Sequence, residues 1–527
     1  MVKKLISIGV FLFLVSFASA QEVGTVSGSF ESNTHYYYND KQINAKQSEE
    51  KLASNNYLEF KYQYKNFTAG FRYEAYLPAL KGFSPVYNKS DIANKYITFQ
   101  NDNLLITAGN FYDQFGSGLV FRSFEERQLG IDNSLEGVNV KYNFNNKFIL
   151  KGIIGKQRDG FNLGKGQVRG LDFNLSLNNL LNIHSIPRIS FGASIVSKYE
   201  EYTGADDSVS PLVDAYSSRL DVEGENASLS LEYVEKDEDY NETMALPTPK
   251  GKALLVNGTA FLSGLSFNYT IRRIENMAFY SERKATPPQL SINYIPVLVK
   301  QHTYSLSNVY VYGAQGEGEI GGQFDLFYKF KKKSFLGGKY GTQIALNYSQ
   351  YNGLKKKGKD DTEFFAMGDD MYYRDLSLEI TKKWSKKFKT IFVYNYQKYN
   401  KGKVEKLGKL VVNPNIVVLD MQYKFTPKNS MRMELQHLSI NNDMKNWMAS
   451  LVELSFAPSW SVFVGDDYNY GSDDKVHYYT CGGSFSKKST KIIMTYGRQR
   501  EGLSCVGGVC RMMPAMKALT LSLSTRF

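Results

Sequence analysis

The stretch YLEFKYQYKNFTAGFRYEAYL, residues 57–77, changes side-chain character at almost every step. Leu58, Phe60, Tyr62 and Tyr64 fall on one side of an extended chain, with Glu59, Lys61, Gln63 and Lys65 on the other. After Lys65-Asn66, residues Phe67, Ala69, Phe71, Tyr73, Ala75 and Leu77 again oppose Thr68, Gly70, Arg72, Glu74 and Tyr76. A period of two marks a strand with one greasy and one wet face. Two such strands joined through two polar residues predict a β-hairpin.

The pattern recurs in LSLEYVEK, FDLFYKFK, TIFVYNYQ, LVELSF and KIIMTYG. Such runs approach the ~9–11 residues that a tilted strand needs to cross a bilayer. Short polar turns, among them 65–66, 101–103, 145–146, 224–226, 263–264 and 457–459, alternate with longer connections at 39–55, 79–93, 112–136, 200–214, 237–250, 352–370 and 400–414. Membrane barrels of bacteria are connected in this way. The expected fold is therefore all-β, a single large transmembrane antiparallel β-barrel over residues 21–527 with no plug domain. With both ends on one side, the strand number must be even, and extra strands near 287–297 and 303–312 restore parity. The count becomes about 26 strands, within a range of roughly 22 to 26.

The two ends fit an exported barrel. Residues 1–20, MVKKLISIGVFLFLVSFASA, combine a Lys3-Lys4 n-region, an apolar run and an Ala-Ser-Ala cleavage site, which predicts a removed signal peptide. The closing ALTLSLSTRF places Leu519, Leu521, Leu523, Thr525 and Phe527 on one face, with the terminal aromatic Phe527 as an assembly signal. A mean hydropathy of −0.37 excludes a helical membrane protein, yet suits a barrel whose lumen-facing half is polar. The net charge of +12 is spread along strands and turns rather than gathered into a patch, so no nucleic-acid partner is expected. Adjacent tyrosines at 36–38, 372–373 and 478–479 read as interfacial girdles.

A lumen of this width needs filling. The connection 112–136, inside GNFYDQFGSGLVFRSFEERQLGIDNSLEG, is too apolar for a free surface loop and is predicted to fold inward from the extracellular side. Its constriction candidates are Phe115, Phe121, Arg122, Phe124, Glu125, Glu126, Arg127 and Asp132. SFEERQLG carries a capping-box spacing, Ser123 to Glu126, and is expected to form a short helix. Glu125, Glu126, Asp132 and Glu136 are expected to face basic wall residues such as Arg72, Arg158 and Arg169. Such charges either set a transverse field across a pore or pin the loop by salt bridges. CVGGVC predicts a local Cys505–Cys510 disulfide, with Cys481 left over. The loop stretch, CVGGVCRMMPA and the C-terminal strand together resemble a family of Bacteroidota outer-membrane barrel proteins defined only as a domain of unknown function. That resemblance implies fold and location but no activity.

No catalytic residues are expected. His35, His184, His302, His437 and His477 stand far apart, and no nucleophile motif accompanies them. The acidic stretches at 236–242, 368–373 and 465–475 lack ordered EF-hand spacing, so neither metal nor cofactor is predicted. The expected function is a porin-like channel for polar solutes, narrowed by its own loops. The alternative is a non-transporting subunit or scaffold of a larger outer-membrane assembly. Expected partners are outer-membrane lipid, the barrel-assembly machinery and another outer-membrane protein or lipoprotein.

Overall fold

Cross-strand register turns the alternation into hairpins. Leu52–Tyr64 runs antiparallel to Phe67–Tyr76 with Leu58 opposite Tyr73 and Tyr64 opposite Phe67, so the apolar sets of both strands share a face. Asn145 and Asn146 both take positive φ, 49° and 58°, the backbone that a tight turn matched to strand twist requires. A computed structural model describes every residue except 1–23, 47–48, 205–208, 244–245, 286–287, 359–360, 407 and 507–508. The expected signal peptide lies outside the described residues.

The strands join, each to its neighbour, into a closed antiparallel barrel of 24 strands. Met516–Arg526 closes it, pairing with Thr490–Gln499 on one side and Thr25–Tyr38 on the other. At the seam Gly28 N–H donates to the Phe527 carbonyl at 2.8 Å, and Phe527 N–H donates back to Gly28 at 3.0 Å. Connections at one end are mostly short (65–66, 101–103, 224–226, 263–264, 457–459), whereas those at the other include 112–134, 237–250, 276–317 and 500–515.

The count differs from 26 because 287–297 and 303–312 are not wall strands. Leu265–Glu275 pairs directly with Gly318–Lys329, and the intervening 276–317 leaves the sheet. Within it Ile292, Leu306 and Tyr312 are buried. Its strand-like alternation has another cause: an extended chain crossing a lumen also presents its two sides to different surroundings.

The faces sort by contact. Ile97, Val138, Leu171, Val417, Val464 and Met494 point outward and are exposed. Near the short turns the outward residues become aromatic, with Phe67, Phe144, Trp384, Phe425, Trp460 and Phe527 exposed. The tyrosine runs split between the two faces rather than forming girdles throughout. Tyr36 and Tyr38 meet edge to face on the outside, while Tyr37 between them is buried and its hydroxyl accepts from Lys81 N–H at 3.0 Å. Tyr373 likewise points inward and stacks on Tyr312 at 5.2 Å.

Candidate functional site

Inward positions of the wall set the shape of the lumen. Val168, Val196, Val213, Val234, Ala253 and Ile274 form an apolar patch on successive strands, and Phe111, Phe115, Leu119, Val120 and Phe121 pack on it. Phe115 and Phe121 have no solvent exposure and meet at 5.0 Å. Gly170 makes this possible, because a Cβ there would lie 2.7 Å from the Phe115 ring. Gly116 has φ 52°, and a Cβ on it would meet the Arg219 and Glu232 side chains at 2.6 Å. Glu232 in turn accepts from Ser117 N–H at 2.8 Å, fixing the loop backbone to the wall.

SFEERQLG is a small hairpin, not a helix. Glu125–Glu126 pairs with Ile131–Asp132, Gly130 takes φ 63°, and Ser123 Oγ accepts from Asp113 N–H at 2.9 Å instead of capping a helix. The hairpin sets Glu125 opposite Asp132. Both carboxylates can then reach the same arginine, which helical spacing would not allow.

That convergence produces a dense ionic cluster. Arg72 donates to Glu74 at 2.7 Å, Glu125 at 3.0 Å and Asp132 at 2.7 Å. Arg158 donates to Asp132 at 2.6 Å and to both oxygens of Glu74 at 3.0 and 2.6 Å. Arg127 reaches from the loop to Glu125 at 3.0 Å, to Glu31 at 2.9 Å and to Glu59. Burial pushes the Glu125 carboxyl up against the pull of Arg72. Asp132, which burial alone would raise, is held below the usual carboxylate range by Arg158 and Arg72. Oxygens of Glu74, Glu125 and Asp132 lie within 4.8 Å of one another, as metal ligands do, but the guanidinium groups of Arg72, Arg158 and Arg127 already serve them.

Two expected members lie elsewhere. Glu136 is on the outer face beside Lys95 at 3.5 Å, and Arg169 is exposed and donates to Gln167. Their neighbours Leu135 and Val168 point inward, so period two turns 136 and 169 outward. Glu126 has no ion pair among the described residues and accepts from Gln128 N–H at 3.2 Å.

Sequence reasoning missed the larger part of the filling. Segment 276–317 crosses the lumen and interlocks with the loop, Arg122 N–H donating to Ile292 and Tyr294 N–H to Gly118, both at 2.9 Å. The Arg122 guanidinium lies 4.0 Å from the Tyr294 ring centroid, and Phe124 meets the same ring edge to face at 5.3 Å. Farther along, His302 Nε2 and Asp375 Oδ2 are 2.6 Å apart. Asn395 donates to Ser307 Oγ at 2.6 Å, and Gln436 accepts from Leu306 N–H at 3.0 Å. Arg272, fully buried, pairs with Glu319, which also accepts from Tyr312 at 2.5 Å. The available signal was Pro296, which cannot donate to a ladder and argues against a strand there.

The filling leaves chambers whose linings mix apolar and charged side chains. One of about 1070 Å³ lies beside the loop and is lined by Glu31, Glu59, Arg127, Lys141, Lys151 and Arg526, among others. Another of about 560 Å³ is lined by Ser305, Arg432, Glu434, Asp467, Arg498 and Arg500, among others. At the rim, Gly502–Val506 pairs with Val509–Met513. Cys510 is disulfide-bonded, and the backbone register sets Cys505 opposite it; the Cys505 side chain lies outside the described residues. Cys481 is free and exposed.

Comparison with curated proteins returned no match. Among solved structures, the chain overlaps the translocation pore of the P pilus usher PapC, with a TM-score of 0.40, 9% identity, and coverage of 95% of this chain and 99% of that one. It overlaps the copper transporter OprC with a TM-score of 0.41, 8% identity, and coverage of 97% and 81%. It also overlaps a mutant of the ferric enterobactin receptor PfeA from Pseudomonas aeruginosa, with a TM-score of 0.43, 10% identity, and coverage of 97% and 81%. Overlap at these levels is no guide to activity. A family model matches residues 1–527, and the chain belongs to that family, described as a family of unknown function (DUF6029).

Proposed function

We propose that the protein is an outer-membrane β-barrel that passes small polar solutes through a lumen narrowed by its own inward segments. The belt of exposed outward apolar residues and the aromatic ring near the short turns support a bilayer setting, where lipid rather than water meets those side chains. The observation that carries the channel reading is the character of the filling. Both inward segments stem from connections at one rim, rest on apolar wall patches with single polar contacts such as Ser117–Glu232 and Ser307–Asn395, and leave chambers with charged side chains in their lining beside them. The protein acts on this reading by admitting solutes, not by transforming them. Its C-terminal Phe527 serves recognition by the barrel-assembly machinery.

Liposome swelling tests the proposal. Proteoliposomes in an isotonic small polar solute swell, and swelling falls off steeply as solute size grows. Vesicles that stay as tight as protein-free controls for every solute overturn it.

One observation favours a second reading. The two segments interlock through paired backbone hydrogen bonds, and Tyr312 of 276–317 donates to Glu319 of the wall, which the buried Arg272 holds, as a permanent filling would. On that reading the barrel is a non-transporting scaffold, and gentle solubilisation yields a stoichiometric partner.

A further inference from the structure

At the end of the barrel with short turns, two connections are much longer than a hairpin needs, 177–187 and 330–341. Both carry apolar residues into the open. In SFLGG, Phe335 is 99% exposed and Leu336 54%; in LLNIHSIP, Leu180, Leu181, Ile183 and Ile186 are all exposed. Internal bonds hold these tips in place. Ser334 Oγ donates to the Lys331 carbonyl at 2.7 Å and accepts from Gly337 N–H at 3.0 Å. Gly338 N–H donates to Ser334 and Lys333 N–H to Gly338, at 2.9 and 2.8 Å. In the other connection Asn178 Nδ2 bridges the Ser185 and Pro187 carbonyls at 3.0 and 3.1 Å, and its Oδ1 accepts from Ile189 N–H at 2.8 Å.

Charge identifies the occupant. Lys331, Lys332, Lys333 and Lys339 share this connection with Phe335, and none of them pairs with a carboxylate among the described residues. The strand entering the turn ends in outward Tyr328, exposed and set edge to face against Phe330 at 4.8 Å, so the tip continues the aromatic ring of the wall. An exposed apolar tip flanked along the chain by lysines without a carboxylate partner, and continuous with such a ring, matches a lipid boundary: acyl chain for the tip, headgroup phosphate for the lysines.

Resting on the outer-membrane reading above, we propose that 330–341, with 177–187 as an uncharged counterpart at the same end, is an interfacial anchor. The anchor inserts Phe335 and Leu336 into the leaflet at the short-turn end and binds anionic phospholipid headgroups through its lysines. It fixes the depth of the barrel at that end.

The test uses the full chain in vesicles of phosphatidylcholine and phosphatidylglycerol whose acyl chains carry bromine near the headgroup. Trp384 and Trp460 are exposed on the aromatic ring and report whether the barrel is embedded at all. A variant with Trp384→Phe, Trp447→Phe and Trp460→Phe that carries Phe335→Trp then reports the tip alone, and heat-modifiable gel migration checks that it is folded. The expected result is strong quenching and a blue-shifted emission from position 335. Pure phosphatidylcholine, or Lys331→Gln, Lys332→Gln and Lys333→Gln together, weakens the quenching. Quenched Trp384 and Trp460 in the parent, with an unquenched, water-like indole at position 335, overturns the anchor and leaves the barrel reading intact; a tip that becomes shielded only when a periplasmic protein is added does the same and assigns it to protein binding. Quenching at 335 indifferent to both lipid charge and the lysines overturns the headgroup assignment. Unquenched Trp384 and Trp460 overturn the membrane reading and the anchor together.

Discussion

Arg72 Nη2 donates to Asp132 Oδ2 at 2.7 Å, and this bond joins a wall strand to the inward loop in the interior of the barrel. Both side chains are only 6% exposed. Removing one partner of such a pair strands a buried charge, at a cost of roughly 3–5 kcal/mol. Asp132→Ala leaves Arg72 and Arg158 short of a shared acceptor, and the loop bears the cost because the wall is held by its own ladder. Limited trypsin digestion of the folded variant is expected to cut after Arg122 or Arg127, sites protected in the parent. A barrel that loses heat-modifiable migration before any such cut would place the pair in the wall instead.

Phe115 is the apolar counterpart of that clamp. Phe115→Ala removes a fully buried ring from a slot that Gly170 leaves open for it, and a buried Phe→Ala change costs about 3–5 kcal/mol. Exchange of the loop amides, Gly118 among them, should rise by orders of magnitude while exchange in Leu135–Phe144 stays slow. Equal acceleration in loop and strand would show that the loop is part of the folding unit of the wall.

Much of this was legible in the sequence. Period two marks most of the wall strands and their two faces, setting Arg72 in the wall opposite the loop and Glu74 on the same polar face. The same rule, carried one residue further, would have turned Glu136 and Arg169 outward. The strand-like alternation of 276–317 has a physical reason: its apolar residues pack on apolar patches of the wall and its polar ones, Asn293 and Ser307 for instance, bond to groups in the lumen. A chain buried on both sides alternates like a strand that is half in lipid. The hairpin at 125–132 was hidden because its shape is set by arginines distant in sequence, against a local capping signal.

The cysteines give a simple chemical test. Under denaturing conditions without reductant, iodoacetamide should add once, at Cys481, and three times after reduction, because the chain has 3 cysteines and Cys510 is disulfide-bonded. Peptide mapping should link Cys505 to Cys510. Three additions without reductant would refute that pairing.

Phe527 extends the closing seam of the barrel by one residue pair. Phe527 exchanges two backbone bonds with Gly28, and its ring lies 5.8 Å from that of Phe60. Deleting Phe527 removes the bonds and the terminal aromatic together. The expected outcome is a marked fall in heat-modifiable, membrane-extracted protein in cells, with refolding of the purified chain in detergent less affected. An equal loss in both would assign Phe527 to stability alone.

The central claim is that the chain's own inward segments restrict a solute path. Single-channel recording in a planar lipid bilayer tests it most directly, comparing the intact protein with a variant in which 277–316 is replaced by a two-residue turn joining Leu265–Glu275 to Gly318–Lys329, strands that already pair along their length. The account predicts small, steady conductance steps from the intact barrel and several-fold larger ones from the variant. Silence from both, with each protein shown to be folded and inserted, would contradict it.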